Sequence, residues 1–190
     1  MILYVTRHGE TDYNLQKRYT GSTDIPLNAN GLQQANNLAD NLASVEIDVI
    51  VSSPLLRAKQ TAEAIQKFRH VPIVFINEFA EINIGIYEGL TKEEVQAQYP
   101  ETWARLAKKW ASLGSRPHDD APEGGETRSQ FDVRIAAGLK KIKEAYSEKR
   151  VLLVCHAFAA RLINRQLIML TFAEMDTFIL GNCEIVKYVV

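Results

Sequence analysis

An arginine and a histidine together close the first apolar run of this chain: Arg7-His8-Gly9-Glu10-Thr11 follows Ile2 to Thr6 directly. A second histidine, His156, stands in the same place after another such run, Val151 to Cys155. A lone histidine beyond a strand is usually structural. Two at equivalent places, one flanked by arginine and glycine, describe a site, because open parallel sheets bind ligands in the crevice outside the carboxyl ends of their strands. Arg57 falls in the first turn of the helix expected after Val49 to Ser52, so it projects toward the same edge. Alone it would read as decoration of a helix. With Arg7, His8 and His156 it makes a compact cationic pocket suited to a phosphoryl group, which arginine holds through its planar fork of donors.

These residues need a parallel sheet to bring them together. Ile2 to Thr6, Val49 to Ser52 and Val151 to Cys155 are unbroken apolar, β-branched runs, the mark of strands buried on both faces. Ile73 to Ile76 and Cys183 to Val190 are further strand candidates. Leu32, Ala35, Leu38, Ala39 and Leu42 keep helix spacing after Asn28, and Pro54 is expected at the first position of the next helix with Ser53 as its cap. Such helices are the crossovers that parallel strands require. The middle differs: Thr91 to Leu113 reads helical, opening with a Thr91/Glu94 capping box and restarting at Pro100. Ser115 to Gly125 holds two Pro, two Gly and three acids and reads as loop. Glu126 to Tyr146 is again helical, with Phe131, Ile135, Leu139 and Ile142 on one face. The expected fold is an α/β three-layer α/β/α sandwich with a mainly parallel central sheet. One domain spans 1–190, and a helical cap insertion covers about 88–125.

Composition narrows the function classes. The 190 residues are 46% apolar, 24% charged and 8% aromatic, as in ordinary globular domains. Lys plus Arg number 22 against 23 Asp plus Glu, so no basic field exists to hold a nucleic acid or an anionic membrane. No stretch approaches the roughly 20 apolar residues of a membrane span. Cys155 and Cys183 read as reduced core residues, which makes the cytoplasm the expected location. The sequence leaves oligomeric state open, a homodimer included.

The spaced motifs resemble those of the histidine phosphatase superfamily, or phosphoglycerate mutase-like family, over nearly the whole length. Its R-H-G-E/Q-T signature stands as Arg7 to Thr11, followed by Asn14. Gly21, Asp24, Pro26, Leu27, Gly31, Gln34 and Ala35 match the next segment, and Ser52 to Glu63 the helix start that carries Arg57. Phe79, Glu81, Gly85, Glu88, Gly89 and Leu90 match the acidic block, Pro122 to Thr127 the Gly-Gly-Glu loop, and Leu153 to Arg161 the second histidine motif. There the usual S-H-G is Cys155-His156-Ala157. Glycine lets the backbone approach phosphate, and alanine can present the same amide only at negative φ.

What the resemblance implies agrees with phosphate chemistry. Uncatalysed phosphate monoester hydrolysis is among the slowest of reactions, and a covalent intermediate splits it into easier steps. His8 is the expected nucleophile, as a neutral imidazole whose other nitrogen gives its proton to a backbone carbonyl. Arg7, Arg57 and His156 would meet the charge on the phosphoryl oxygens, each cation at 4 Å contributing about 4 kcal/mol at an effective dielectric near 20. Glu81 is the expected acid that protonates the leaving alkoxide and later the base that activates water. Asn14, Thr20, Gly21 and Ala157 are the candidate substrate contacts.

The implied activity is metal-independent phosphomonoester hydrolysis on a small phosphorylated metabolite, with no cofactor. A cofactor-dependent phosphoglycerate mutase is the alternative, disfavoured because Glu81 to Tyr87 contains no Arg or Lys for a second acidic group. A noncatalytic phosphate-binding module would have lost one of the key residues. A dinucleotide fold would need G-x-G-x-x-G where Arg7-His8 stands. Zinc at Cys155 and His156 is disfavoured, since neighbours at a strand end point to opposite faces. Specificity is expected in the segment 102–122, from Trp103, Arg105, Trp110, Arg116 and His118.

Overall fold

Unbroken apolar runs become strands covered on both faces, and alternate side chains serve the two layers. The computed structural model describes residues 1–113 and 119–190, the side chains of 110–113 excepted. Of the expected sites, Arg116 and His118 lie outside the described residues, as does the side chain of Trp110. Five strands, β1 (Ile2–Arg7), β2 (Val49–Ser52), β3 (Ile73–Phe75), β4 (Arg150–Cys155) and β5 (Ile185–Val189), form one sheet in the order β3-β2-β4-β1-β5. All pairs are parallel except β1 with β5.

Among the described residues the α-helices are α1 (Asp12–Leu15), α2 (Ala29–Asn41), α3 (Leu56–Arg69), α4 (Lys92–Gln98), α5 (Pro100–Leu113), α6 (Arg128–Ala145), α7 (Ala157–Ile168) and α8 (Phe172–Met175). Val5, Val51 and Leu153 pack with Phe131, Ile135 and Ile142 of α6 and Leu162 and Ile163 of α7. Ile50, Leu152 and Val154 pack on the other side with Leu38 of α2 and Ala58, Ala62 and Ile65 of α3. The three layers follow from that alternation. Among the described residues no helix is long and apolar enough to cross a membrane.

Register places the site. Arg7 pairs with Cys155 and Ser52 with Val154, so β1, β2 and β4 end level and release His8, Ser53 and His156 side by side.

Two of the boundaries that differ from expectation bear on the site. Helix α3 starts at Leu56, two residues after Pro54, and Ser53 does not cap it. The Ser53 hydroxyl is occupied by His156 and the Leu55 N–H, while the Leu56 N–H is capped from a distance by Asp24 Oδ1 at 2.6 Å. Strand β5 starts at Ile185, because Cys183 adopts a left-handed φ of 58° and donates its N–H to Arg7 O. The Thr91/Glu94 capping box is present at α4, and Thr127 with Gln130 forms another at α6. Arg18 ties α4 to the first third of the chain through Glu94 at 2.6 Å and Gly89 O at 2.7 Å.

Candidate active site

The end of β1 presents His8 in one defined state. Its N–H continues the ladder to Cys155 O at 3.0 Å, and the ring is 4% exposed. Nδ1 lies 2.6 Å from Gly9 O, which can only accept, so Nδ1 carries the proton. Nε2 therefore keeps a lone pair, which accepts the Arg57 Nε–H at 3.2 Å. Burial first, then Arg57 and Arg7, hold this imidazole well below its usual pKa. The ring is neutral at neutral pH. Gly9 is required here because a Cβ would lie 2.4 Å from Gly31 O, where the loop crosses the start of α2.

Arg57 is buried at 1% exposure and its fork is fixed by backbone: Nη1 donates to Thr23 O and Nη2 to Gly21 O, both at 2.8 Å. Glu88 shapes that loop, accepting from Ser22 N–H at 2.7 Å, Ser22 Oγ at 2.9 Å and Thr23 Oγ1 at 2.5 Å. Gly21 sits at φ 53°, and a Cβ there would meet Glu88 Oε1 at 2.2 Å. Its carbonyl is committed to Arg57, so Gly21 serves the pocket by positioning the guanidinium. Among the described residues no hydrogen bond joins the Thr20 side chain to this cluster, and only its carbonyl is engaged, by the Thr23 N–H.

His156 is fully buried, with its ring centroid 5.1 Å from that of His8. Its Nε2 lies 2.7 Å from Ser53 Oγ, which also accepts the Leu55 N–H. His156 Nδ1 is buried with no partner, and burial first, then Arg57, His8 and Arg7, hold the ring well below its usual pKa, so it stands here as a neutral ring and not as the cation the sequence suggested. The Arg7 Nε is a buried donor with no partner, although Nη1 of the same side chain reaches Leu180 O at 3.4 Å. Burying a donor unpaired costs roughly 1 to 3 kcal/mol, and an open guanidinium N–H suits an anion.

Helix α7 opens at this edge with His156 as its N-cap. Its first amides are a natural anion cradle. Glu81 takes two of them, Phe158 N–H on Oε2 at 3.0 Å and Ala159 N–H on Oε1 at 3.2 Å, and adds the Ile82 N–H at 3.0 Å. Burial outweighs those bonds and the nearby Arg57 and Arg7, and raises the carboxyl pKa. Ala157 is the first residue of α7 and is not among the positive-φ residues, so alanine keeps its amide at the helix mouth. Asn14 Oδ1 accepts from Thr11 N–H at 3.1 Å and Asn182 Nδ2 at 3.4 Å, which leaves its amide NH2 as the donor end.

Comparison with known proteins agrees with this geometry. The family model for the histidine phosphatase superfamily (branch 1) matches residues 3–190. The chain belongs to that superfamily. It is 39% identical over 155 residues to an uncharacterized phosphatase PhoE of Bacillus subtilis, covering 82% of this chain and 71% of that one. It is 32% identical over 188 residues to a probable phosphoglycerate mutase GpmB of Salmonella choleraesuis, covering 96% and 82%. A mycobacterial glucosyl-3-phosphoglycerate phosphatase complexed with VO3 superposes with a TM-score of 0.85 at 28% identity, covering 98% of this chain and 90% of that one. As a histidine phosphatase the chain is a phosphomonoesterase acting through a phosphohistidine intermediate.

The histidine phosphatase thus brings Arg7, His8, Arg57, Glu81 and His156 to one sheet edge. Cys155 beside them belongs to the core, where burial pushes its thiol far up. Sequence reasoning missed Arg134 of α6. It pairs with Glu126 at 2.7 Å and donates to the carbonyls of Glu78 and Ala80 at 2.9 Å and of Glu81 at 3.3 Å, so one guanidinium fixes the loop that carries Glu81. The available signal was an arginine set among Phe131, Ile135 and Leu139 on an apolar helix face. Arg105, expected to meet substrate, pairs with Asp120 and reaches Ala121 O at 3.3 Å.

Proposed function

We propose that the protein is a metal-independent hydrolase of a small phosphorylated metabolite in the cytoplasm, with His8 as nucleophile and Glu81 as acid and then base. The observation that carries this reading is the neutral His8 ring, its Nε2 lone pair facing Arg57 while Arg7 Nε and His156 Nδ1 stand unpaired nearby. A phosphoryl group entering this edge takes the hydrogen bond of Arg57 Nε, which frees the lone pair. Nε2 then forms the P–N bond as the ester P–O bond breaks. Arg7, Arg57, His156, Asn14 and the Ala157 amide receive the charge on the three equatorial oxygens. The leaving oxygen takes its proton from Glu81 Oε2, which has one amide bond against two on Oε1 and so has room for a proton. Glu81, now ionised, draws a proton from water whose oxygen attacks phosphorus, and the P–N electrons return to Nε2.

The metal-free part of the reading rests on charge. Two guanidinium groups flank the imidazoles, a setting that repels a cation and attracts an anion. The cytoplasmic part rests on two free cysteines, one buried and one half-buried. Purified protein should release phosphate from 4-nitrophenyl phosphate in the presence of a chelator and be inhibited by vanadate. Activity abolished by the chelator and restored by magnesium or zinc would overturn it.

A further inference from the structure

The motif residues Gly31, Gln34 and Ala35 lie in α2, outside the cluster that meets the phosphoryl group. The start of that helix nevertheless presses on the nucleophile loop: the Asn28 N–H donates to Glu10 O at 3.0 Å, and a Cβ on Gly31 would strike the same carbonyl. One turn on, Gln34 Oε1 accepts the Glu10 N–H at 2.8 Å. That N–H belongs to the same planar peptide as Gly9 O, the acceptor of the His8 Nδ1 proton. We infer that Gln34 is a positioning residue for His8, holding the Gly9–Glu10 peptide so that the ring keeps its proton on Nδ1 and its lone pair on Nε2. The inference rests on His8 as the nucleophile and goes beyond that reading by naming what sets the state of its ring.

Three observations carry it. The acceptor carbonyl sits on a glycine, which has no Cβ to restrict its backbone and which the approach of Gly31 O allows to be nothing larger. Its orientation has to be fixed from outside. Both peptides that meet at Gly9 are gripped by side chains: Asn182 Nδ2 donates to His8 O at 2.8 Å and Thr61 Oγ1 accepts the Gly9 N–H at 3.1 Å on one, and Gln34 holds the other. Of these three, only Gln34 is bonded to the peptide that carries Gly9 O. A peptide whose N–H is donating has a carbonyl that accepts more strongly, which agrees with the short 2.6 Å contact to Nδ1. The third observation is the double support of the ring. In the resting site the Arg57 Nε–H also keeps Nε2 free of a proton. A phosphoryl group that takes that N–H leaves Gly9 O to hold the tautomer while the P–N bond forms, so Gln34 acts on kcat and not on KM.

The test uses two substitutions: Gln34→Leu removes the acceptor, and Gln34→Glu keeps one at the same reach. With 4-nitrophenyl phosphate, Gln34→Leu should lower kcat by about tenfold and change KM by less than about threefold, while Gln34→Glu should keep kcat within about threefold of the parent. The readout that a merely structural residue would not move is the His8 Nδ1 proton, observed by NMR in protein carrying isotope-labelled histidine and assigned by its absence from His8→Ala. A bond of 2.6 Å should place that proton far downfield. It should move upfield in Gln34→Leu and return in Gln34→Glu. Asp48→Ala, which breaks the pair with Arg150 at the amino ends of β2 and β4, supplies a destabilised control that should alter neither kcat nor the proton. If the parent protein releases no phosphate but the proton still follows Gln34, the nucleophile reading fails and the positioning role stands. An unmoved His8 proton in Gln34→Leu, whatever its melting temperature, would overturn the inference, as would the parent's kcat in Gln34→Leu.

Discussion

The two sides of the active cleft are made of opposite materials. At the sheet edge charged groups are buried and held by backbone: Arg57 by the carbonyls of Gly21 and Thr23, His8 by Gly9 O, Glu81 by the amides of α7. Beside α5 the walls are aromatic and aliphatic, and the charged groups there neutralise each other, Arg105 with Asp120 and Arg128 with Asp176. The first arrangement fixes donors before the phosphoryl group arrives, which is how electrostatic stabilisation of a transition state is made strong. The second can bind but has little charge to contribute. On the proposed mechanism rate belongs to the sheet edge, which would meet a group common to all monoesters, and choice of substrate to the α5 side, which would meet what differs.

Substitutions at Glu81 should break that division most. Glu81→Gln should slow alkyl phosphates by about 10²- to 10⁴-fold and 4-nitrophenyl phosphate by less than about tenfold, because nitrophenolate departs without a proton. The pH profile carries the sign. A general acid must be protonated, so activity on alkyl phosphates should fall as pH rises through the raised pKa of Glu81. His8 and His156 have lowered values and stay neutral as pH falls through 6.5, so no loss is expected there. Equal losses on both substrates, with the alkaline limb unchanged, would show that Glu81 only binds.

Arg134 sharpens the comparison, since its guanidinium is bonded to the loop of Glu81 and to Glu126. Arg134→Ala should lower kcat on alkyl phosphates by about tenfold, leave KM nearly unchanged and shift the alkaline limb, with partial rescue in Arg134→Lys. A lower melting temperature with an unmoved pH profile would reduce it to a structural residue. Arg105→Ala should do least. Its side chain is 45% exposed and its pair with Asp120 is a surface one, so kcat/KM should change by less than about threefold on any substrate. A selective loss on one substrate would put Arg105 in contact with the leaving group.

Legibility divides along the same line. The strands that carry His8 and His156 are uninterrupted apolar runs, and the level ends of β1, β2 and β4 follow from parallel pairing, so the cluster could be read before it was seen. Even the state of His8 was accessible, because a neutral nucleophile needs an acceptor for its other proton and Gly9 supplies one in the next peptide. What escaped was nonlocal. Pro54 failed to open α3 because Ser53 turns its hydroxyl to His156, 103 residues away, and Asp24 caps the helix instead. Arg134 holds carbonyls more than fifty residues earlier in the chain, and no sequence spacing announces such bonds. The pairing of Arg105 with Asp120 was likewise hidden, because the intervening sequence had no periodicity from which to foresee it.

The central claim is that phosphate passes through His8, and rapid acid-free quench of the enzyme mixed with phosphorus-labelled 4-nitrophenyl phosphate tests it most directly. The account predicts label on the protein that survives base, is released by acid and maps to His8, and that is absent from His8→Ala, whose turnover should fall by about 10⁴-fold or more. Label mapped to Cys155, or wild-type turnover in His8→Ala, would contradict it.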